Sequence, residues 1–510
     1  MKKLAITFLI IIALSFSLTS VSSYATQSPV SSTLGRMSTA KPFRANADTH
    51  LVFLPLVSKS SLSCSHIIGQ TVSVADALTN YADVRPGDMV CIAAGLRGDL
   101  LLRNFQGTAE DPITFINLRG QVVIHSGISH GILVQNSRFF RLTGTGTDDI
   151  QYGLKVVTST NVGIDIGYKS SDFEIDHIEV SGVGGAGISA KTEAVCSDGS
   201  SNDYDYDGDG IKLGDPDDVV NRNNFTQYNL AFHDNYIHDV GTEGIYVGSS
   251  FYVGQEARCN SGTETIYAPI IEGVSIHNNK ITDTGWDGIQ VGSATENCSI
   301  HYNEILRDSQ ANEPYQQSSI MNNPGSVCNI HSNFIQNGGG PGIFVQGNGG
   351  NIIYNNLIVN PGQNKPFGNN CGDGITVVDG SNPGNSIYIL NNTVVTPKNF
   401  GINFASDKGA DNRIQNNIIV APGSYYLCGE DAYIQVWRHT NVLTANNLKS
   451  TTLAEIKFIA PASNNYAIRS DSPAVDSGIN WNLGVAPVDY AGISRPQGKS
   501  YDIGAYEFVP

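Results

Sequence analysis

Short apolar runs along this chain alternate with polar positions and return in step. The unit I-x-x-N-x-I occurs at Ile276, Asn279 and Ile281 and again around Asn303, Asn333, Asn356, Asn392 and Asn417, with Asn235 and Asn447 extending the series at either end. Successive asparagines are 44, 24, 30, 23, 36, 25 and 30 residues apart. A second column keeps the same time: Gly-Ile pairs begin at Gly131, Gly163, Gly187, Gly210, Gly244, Gly288, Gly342, Gly374 and Gly401 and open strands such as Gly-Ile-Tyr-Val-Gly. Alternation within each run predicts strands, and the longer period predicts one supersecondary unit per roughly 24 residues.

A strand, an Asn-bearing turn and another strand cannot bury their apolar side alone. Stacking such coils buries it and hands the backbone hydrogen bonds to the coil above and below, at about 4.8 Å per coil. The asparagines are then structural, their amides bonding along the stack at turns that tolerate a left-handed residue. The chain reads as all-β, with three longer interruptions near residues 191–209, 215–229 and 249–270. Insertions on a solenoid are where binding residues are usually placed.

The ends differ from the middle. Ser73-Val74-Ala75-Asp76 resembles a capping box, with Ala75, Leu78 and Ala82 at helical spacing before Arg85-Pro86-Gly87-Asp88, so a short helix over 73–82 is expected to cover the first coil. Residues 26–60 read as a disordered leader with a short strand at Val52 to Val57, residues 61–455 as the solenoid, and 456–510 as a cap that covers the last coil.

This repeat resembles the right-handed parallel β-helix of secreted pectate-lyase-like proteins, over about residues 85–450. Ser472-Pro473-Ala474-Val475-Asp476-Ser477-Gly478, Arg495-Pro496 and Asp502-Ile503-Gly504-Ala505-Tyr506-Glu507 look like the tail common in bacterial members. The resemblance implies a right-handed helix and a polysaccharide as substrate.

Composition changes the picture in three ways. Lys2 and Lys3, an apolar run from Leu4 to Leu18 and Ser23-Tyr24-Ala25 read as an export signal over residues 1–25, so an extracellular, soluble protein with no membrane partner is expected, and a monomer. Removing those residues takes away two lysines and no acid, so the net charge of −17 becomes −19, which disfavours nucleic acid as a partner. Eight cysteines in an exported chain permit disulfides; Cys64 with Cys91 and Cys196 with Cys259 are the preferred pairs. Cys298 and Cys328 share a repeat position and are expected to stack as buried thiols.

Candidate chemistry concentrates in the first insertion. Asp203, Asp205, Asp207 and Asp209 stand at every second residue, and closely spaced carboxylates of this kind suit a hard cation, calcium. Gly214 at the twelfth position excludes an EF-hand, although Asp215, Asp217 and Asp218 could complete an irregular oxygen shell; a solvated acidic loop is the plainer alternative. In Gly210-Ile211-Lys212-Leu213-Gly214, Lys212 faces away from Ile211 and Leu213. The segment is similar to the acid-and-lysine motif of calcium-dependent pectate lyases, which implies Lys212 as the base that removes a uronate C5 proton, with Lys191 the next candidate.

Acid-Gly-Ile recurs at Glu243, Asp287 and Asp373, so carboxylates form a column, either for substrate or because acids favour the turn before a strand. Tyr246, Phe344 and Trp437 occupy outward positions where rings suit sugars, or are partly covered by loops. Four histidines, His233, His277, His301 and His331, lie two residues before a ladder asparagine and should stack, as a transition-metal site or as a surface ladder. The expected function is calcium-assisted β-elimination on a uronate glycan. The alternatives are a β-helix glycoside hydrolase using two carboxylates and a noncatalytic glycan-binding or surface protein.

Overall fold

The computed structural model describes residues 62–200, 219–346, 349–363, 372–378, 385–407, 409–423, 432–437, 441–480 and 484–510. The chain divides into residues 1–46 and 47–510, and every described residue belongs to the second unit. The export signal, the leader and the strand expected at Val52 to Val57 lie outside the described residues, as do Asp203, Asp205, Asp207, Asp209 and Lys212.

That unit is a right-handed parallel β-helix. One coil runs Ile352–Tyr354, a corner at Asn355 and Asn356, Leu357–Val359, a second corner at Asn360, and Ile375–Val377. Strands of the last kind form a twelve-stranded sheet from Val74–Asp76 to Ile434–Val436. The other two faces join around the first corner into one sheet of 23 strands. Register in the twelve-stranded sheet is strict: Ile245, Ile289, Ile320, Ile343, Ile375, Ile402 and Ile434 stand one above another. These isoleucines fill the interior, whereas the earlier coils are filled by Phe105, Phe115, Phe140, Phe173 and Phe232, packed ring on ring.

The first corner explains the asparagine period. Asp234, Asn278, Tyr302, Ser332, Asn355, Asn391, Asn416 and Asn446 all have positive φ, and each directly precedes a ladder asparagine. A left-handed conformation costs a non-glycine residue about 1–2 kcal/mol, and the ladder offsets it. Asn333 donates from its backbone N and from Nδ2 to Asn356 Oδ1, at 3.2 and 3.0 Å, while that Nδ2 also donates to Ile300 O at 2.9 Å. The same pairing runs unbroken from Asn235 to Asn447.

Both ends depart from expectation. No helix covers residues 73–82: Val74–Asp76 is the first strand of the twelve-stranded sheet, and turns follow it. Asp76 uses its carboxylate to accept from Leu78 N, Arg103 Nε and Asn104 Nδ2, and Leu78, which a helix would have turned inward, is 74% exposed. At the other end a four-residue helix, Leu453–Ile456, follows the last coil. The tail beyond it does not simply cap the stack; it runs back along the first corner. Asn355, Asn391 and Asn416 donate from Nδ2 to Val488 O, Asp502 O and Ile479 O, at 2.7, 2.9 and 2.9 Å. A buried Arg495–Glu507 ion pair of 2.7 Å fixes the tail's own fold.

Disulfides join Cys64 to Cys91 and Cys196 to Cys259, as expected. Cys298 and Cys328 are also bonded rather than stacked as thiols: adjacent coils bring their Cα atoms to 4.4 Å, within disulfide reach. Cys371 and Cys428 lie outside the described residues.

Candidate functional site

The outward face of the twelve-stranded sheet carries, in register, Asp165, Ser189, Tyr246, Gln290, Met321, Phe344, Thr376, Asn403 and Gln435. Two insertions meet beside its early coils. The one that follows Ile188–Ala190 and the one bearing the hairpin of Gln255–Cys259 and Gly262–Ile266 are tied by Cys196–Cys259 and share a small core of Ala194, Ala257, Ile266 and Ala268.

Lys191 follows directly on Ile188–Ala190, at the start of the first of these insertions. Its Nζ is ion-paired with Glu193 and lies 5.1 Å from the centre of the Tyr246 ring. Burial disfavours the ammonium, but the carboxylates of Glu193 and Asp165 and the Tyr246 hydroxyl outweigh it and hold the pKa above the ordinary lysine value. Lys191 is therefore a fixed cation, on a face of an acidic protein, with an aromatic ring beneath it. A lysine base needs the opposite shift.

Tyr246 is itself held: its hydroxyl lies 3.1 Å from Ser250 Oγ, and burial raises its pKa. Ser250 leads to a buried polar knot. With the Gln290 amide oriented by its surroundings, its oxygen accepts from Ser250 Oγ and Asn323 Nδ2, at 2.9 and 2.7 Å. Its nitrogen then faces Glu243 Oε1 at 2.9 Å, Gln316 Oε1 at 3.0 Å and Asp287 Oδ2 at 3.3 Å. An amide has two hydrogens for these three acceptors, so a carboxyl proton completes the set. Burial raises the pKa of Glu243, and burial together with Glu243 and Asp308 raises that of Asp287 well above the carboxylate range. Asp308, accepting from Ser309 and Ser319 hydroxyls at 2.7 Å each, is pushed by burial to about 6.

The acid column thus divides. Glu243 and Asp287 converge, as two hydrolytic carboxylates must, but both are buried beneath Gln290, Gln316 and the Ser318 backbone, whose N donates to Asp287 Oδ1 at 2.5 Å. Asp373 is apart from them, taking hydrogen bonds from Thr376, Asn399, Asn403 and the Phe400 backbone. Phe344 is half-buried three coils beyond Tyr246. Glu193, Ser250, Gln290 and Asn323 were not singled out from sequence; Gln290 alone carried a signal, since it holds the Tyr246 position in the next Gly-Ile strand.

The histidine ladder lies on another face. His233, His277, His301, His331 and Tyr354 stack with ring centres 4.8, 5.0, 4.9 and 4.5 Å apart. Beneath it Glu174, Asp176 and His233 bring three potential metal ligands together. Arg141 occupies that position instead, with Nε 3.0 Å from Glu174 and 2.7 Å from Asp176. A second grouping, Cys196, Cys259 and Glu264, offers no thiolate because its sulfurs are bonded to each other.

Residues 219–365 match the family described as right handed beta helix region. A search of curated proteins finds no match. Among solved structures the chain is similar to pectate lyase Pel9A, at 12% identity over 88% of this chain and 97% of that one, with a TM-score of 0.40. It is similar to an alginate lyase from Paenibacillus sp. str. FPU-7 at 16% identity, over 76% of this chain and all of that one, TM-score 0.32. It is also similar to a GH136 lacto-N-biosidase from Eubacterium ramulus at 12% identity, over 76% and 68%, TM-score 0.43. Likenesses this distant carry no argument about chemistry, which a shared fold leaves open.

Proposed function

We propose that this chain is an exported polysaccharide lyase that cleaves a uronate-containing glycan on the outward face of the twelve-stranded sheet. The observation that carries the reading is Lys191, a fixed ammonium over the Tyr246 ring where the first insertion leaves the sheet. A uronate carboxylate takes the place of Glu193 on this ammonium, which the Tyr246 ring supports from its other side. Lys191 binds and neutralises the uronate carboxylate and is not the base. Lys212 takes the C5 proton; the C4–O bond breaks as the C4–C5 double bond forms, and the leaving oxygen takes a proton from water.

Asp203, Asp205, Asp207 and Asp209 hold calcium in this reading. An all-carboxylate donor set fits a hard cation and not a thiolate- or imidazole-seeking one. Calcium, when bound, acidifies the C5 proton and lowers the pKa of a neighbouring lysine. Burial of Glu243 and Asp287 disfavours the hydrolase, because a substrate has to displace Gln290 and Gln316 to reach them.

The test is the ultraviolet absorbance of unsaturated uronate released from polygalacturonate and alginate. Lys212→Ala is expected to abolish it while calcium affinity, read by calorimetry, holds or rises slightly. Lys191→Ala is expected to raise KM more than it lowers kcat. Reducing ends without the chromophore would show a hydrolase, and calcium binding without turnover a glycan-binding protein.

A further inference from the structure

One serine hydroxyl stands between the buried acid pair and Tyr246. Ser250 Oγ has three polar neighbours: Asn323 Nδ2 at 2.8 Å, the Gln290 amide at 2.9 Å and the Tyr246 hydroxyl at 3.1 Å. A hydroxyl has one proton to give and two lone pairs to fill, so the direction of two of these bonds fixes the third. Asn323 donates, because its Oδ1 is taken by Gln346 Nε2 at 2.6 Å while its Nδ2 faces Ser250 and, at 2.7 Å, the Gln290 oxygen. That donor on one side of Gln290, with the acceptors Glu243, Gln316 and Asp287 on the other, leaves the amide one orientation, its oxygen toward Ser250. Ser250 therefore gives its proton to Gln290 Oε1 and one lone pair to Asn323, and the lone pair that remains accepts from Tyr246. With the amide reversed, two N–H groups would fill both lone pairs of Ser250, and the serine proton would go to Tyr246 instead.

We infer that Gln290 and Ser250 are positioning residues that commit the Tyr246 phenolic proton inward, so that Tyr246 meets the glycan as a hydrogen-bond acceptor for a sugar hydroxyl and not as a proton donor. The direction of the proton stands on the hydrogen bonds alone; the sugar rests on the glycan-active reading of this face. Tyr246 is half-buried, with the Lys191 ammonium over its ring. Once its proton is spent on Ser250, the phenolic oxygen has only lone pairs for other partners, and a sugar hydroxyl is a donor that fits them. An ammonium that binds a carboxylate, beside an oxygen that accepts from a hydroxyl, selects a uronate whose hydroxyls are unsubstituted. O-acetylation removes that donor. A tyrosine held in this way also has no proton to give a leaving oxygen, which agrees with protonation of that oxygen by water.

Neutron diffraction from a deuterium-exchanged crystal of the full chain reads the direction itself. Deuterium on Tyr246 Oη aimed at Ser250 Oγ is the expected result, and deuterium on Ser250 aimed at Tyr246 overturns the inference. Affinity electrophoresis through gels containing polygalacturonate or alginate, each free or O-acetylated, reads the consequence. Wild type is expected to be retarded by at least one free polymer and less by its acetylated form. Tyr246→Phe should weaken binding to the free polymer roughly fivefold, with an unchanged melting curve, and narrow that difference. Tyr315→Phe, which removes an exposed phenol elsewhere, is the control and should match wild type. Gln290→Met, which releases the serine proton toward Tyr246, should weaken binding on its own but cost nothing more when added to Tyr246→Phe, a non-additivity that a merely structural glutamine would not give. Wild-type affinity in Tyr246→Phe, additive losses in the double variant, or no retardation of wild type by either free polymer overturns the acceptor role. Absence of elimination product with Tyr246-dependent binding intact sinks the lyase reading and leaves the acceptor standing.

Discussion

Asp176 and Asp287 are both completely buried, yet the two carboxyl groups have gone opposite ways. Burial alone pushes each toward the neutral form, and for Asp176 hydrogen bonds from His177, Arg141 and Thr143 override it, bringing the pKa down to about 2. Asp287 has a backbone N–H, an amide and two carboxyl neighbours instead, so nothing overrides burial. The first group is a charge matched by an adjacent coil, the second a proton carrier. Depth in this helix does not decide ionisation; the residue one coil away does.

The largest break in that contrast comes from removing the match. Arg141→Met leaves Glu174 and Asp176 buried with no guanidinium, and is expected to cost about 3–5 kcal/mol, read as a lower denaturant midpoint at neutral pH. The loss should shrink as pH falls and Asp176 protonates. A pH-independent loss would mean that Arg141 matters for packing alone.

On the other side, Asp308 gives the next effect. Its pKa of about 6 exceeds the unfolded value of 3.8, so between those values the folded state binds more protons and stability falls as pH rises. The contribution is full below pH 3.8, and about 3 kcal/mol is lost on passing through pH 6. Asp308→Asn keeps a partner for both serine hydroxyls and should flatten that fall. A melting series at pH 4, 5, 6 and 7 on both proteins checks it.

The asparagine ladder supplies the uncharged reference. Asn356→Leu removes paired buried amides and is expected to cost about 1–3 kcal/mol, equally at every pH in the same series. Its melting loss should come without a selective loss of glycan binding.

The ladder was readable in the sequence because it obeys one rule at every coil, a left-handed residue followed by Asn. The charged clusters obey none. Arg141 reaches Asp176 across 35 residues, and Gln316 meets Asp287 and Gln290 from the connection between Glu304–Leu306 and Ile320–Asn322, where no repeat position foretells it. Residues 73–82 misled for a physical reason: Val74-Ala75-Asp76 satisfies both helical spacing and strand alternation, and pairing of Ala75 with Leu102 in the next coil decides for the strand. Cys298 and Cys328 were placed correctly in one column, but a one-coil rise is also a disulfide's span.

A histidine sharpens the comparison from within the matched cluster. His233 donates from Nδ1 to Asp234 at 2.7 Å and from Nε2 to Glu174 at 3.1 Å, and although burial opposes its charge, these carboxylates raise its pKa to about 9. Its contribution is full below the unfolded value of 6.5 and is lost as pH rises through 9. His233→Gln removes that dependence, and the conversion that applies to Asp308 puts the loss at pH 6 at about 3 kcal/mol. It should vanish near pH 10. Adding Arg141→Met should make the same substitution cost more than it does alone, because Glu174 then has no other cation; strict additivity of the two would show that the guanidinium and the imidazole do not share that carboxylate.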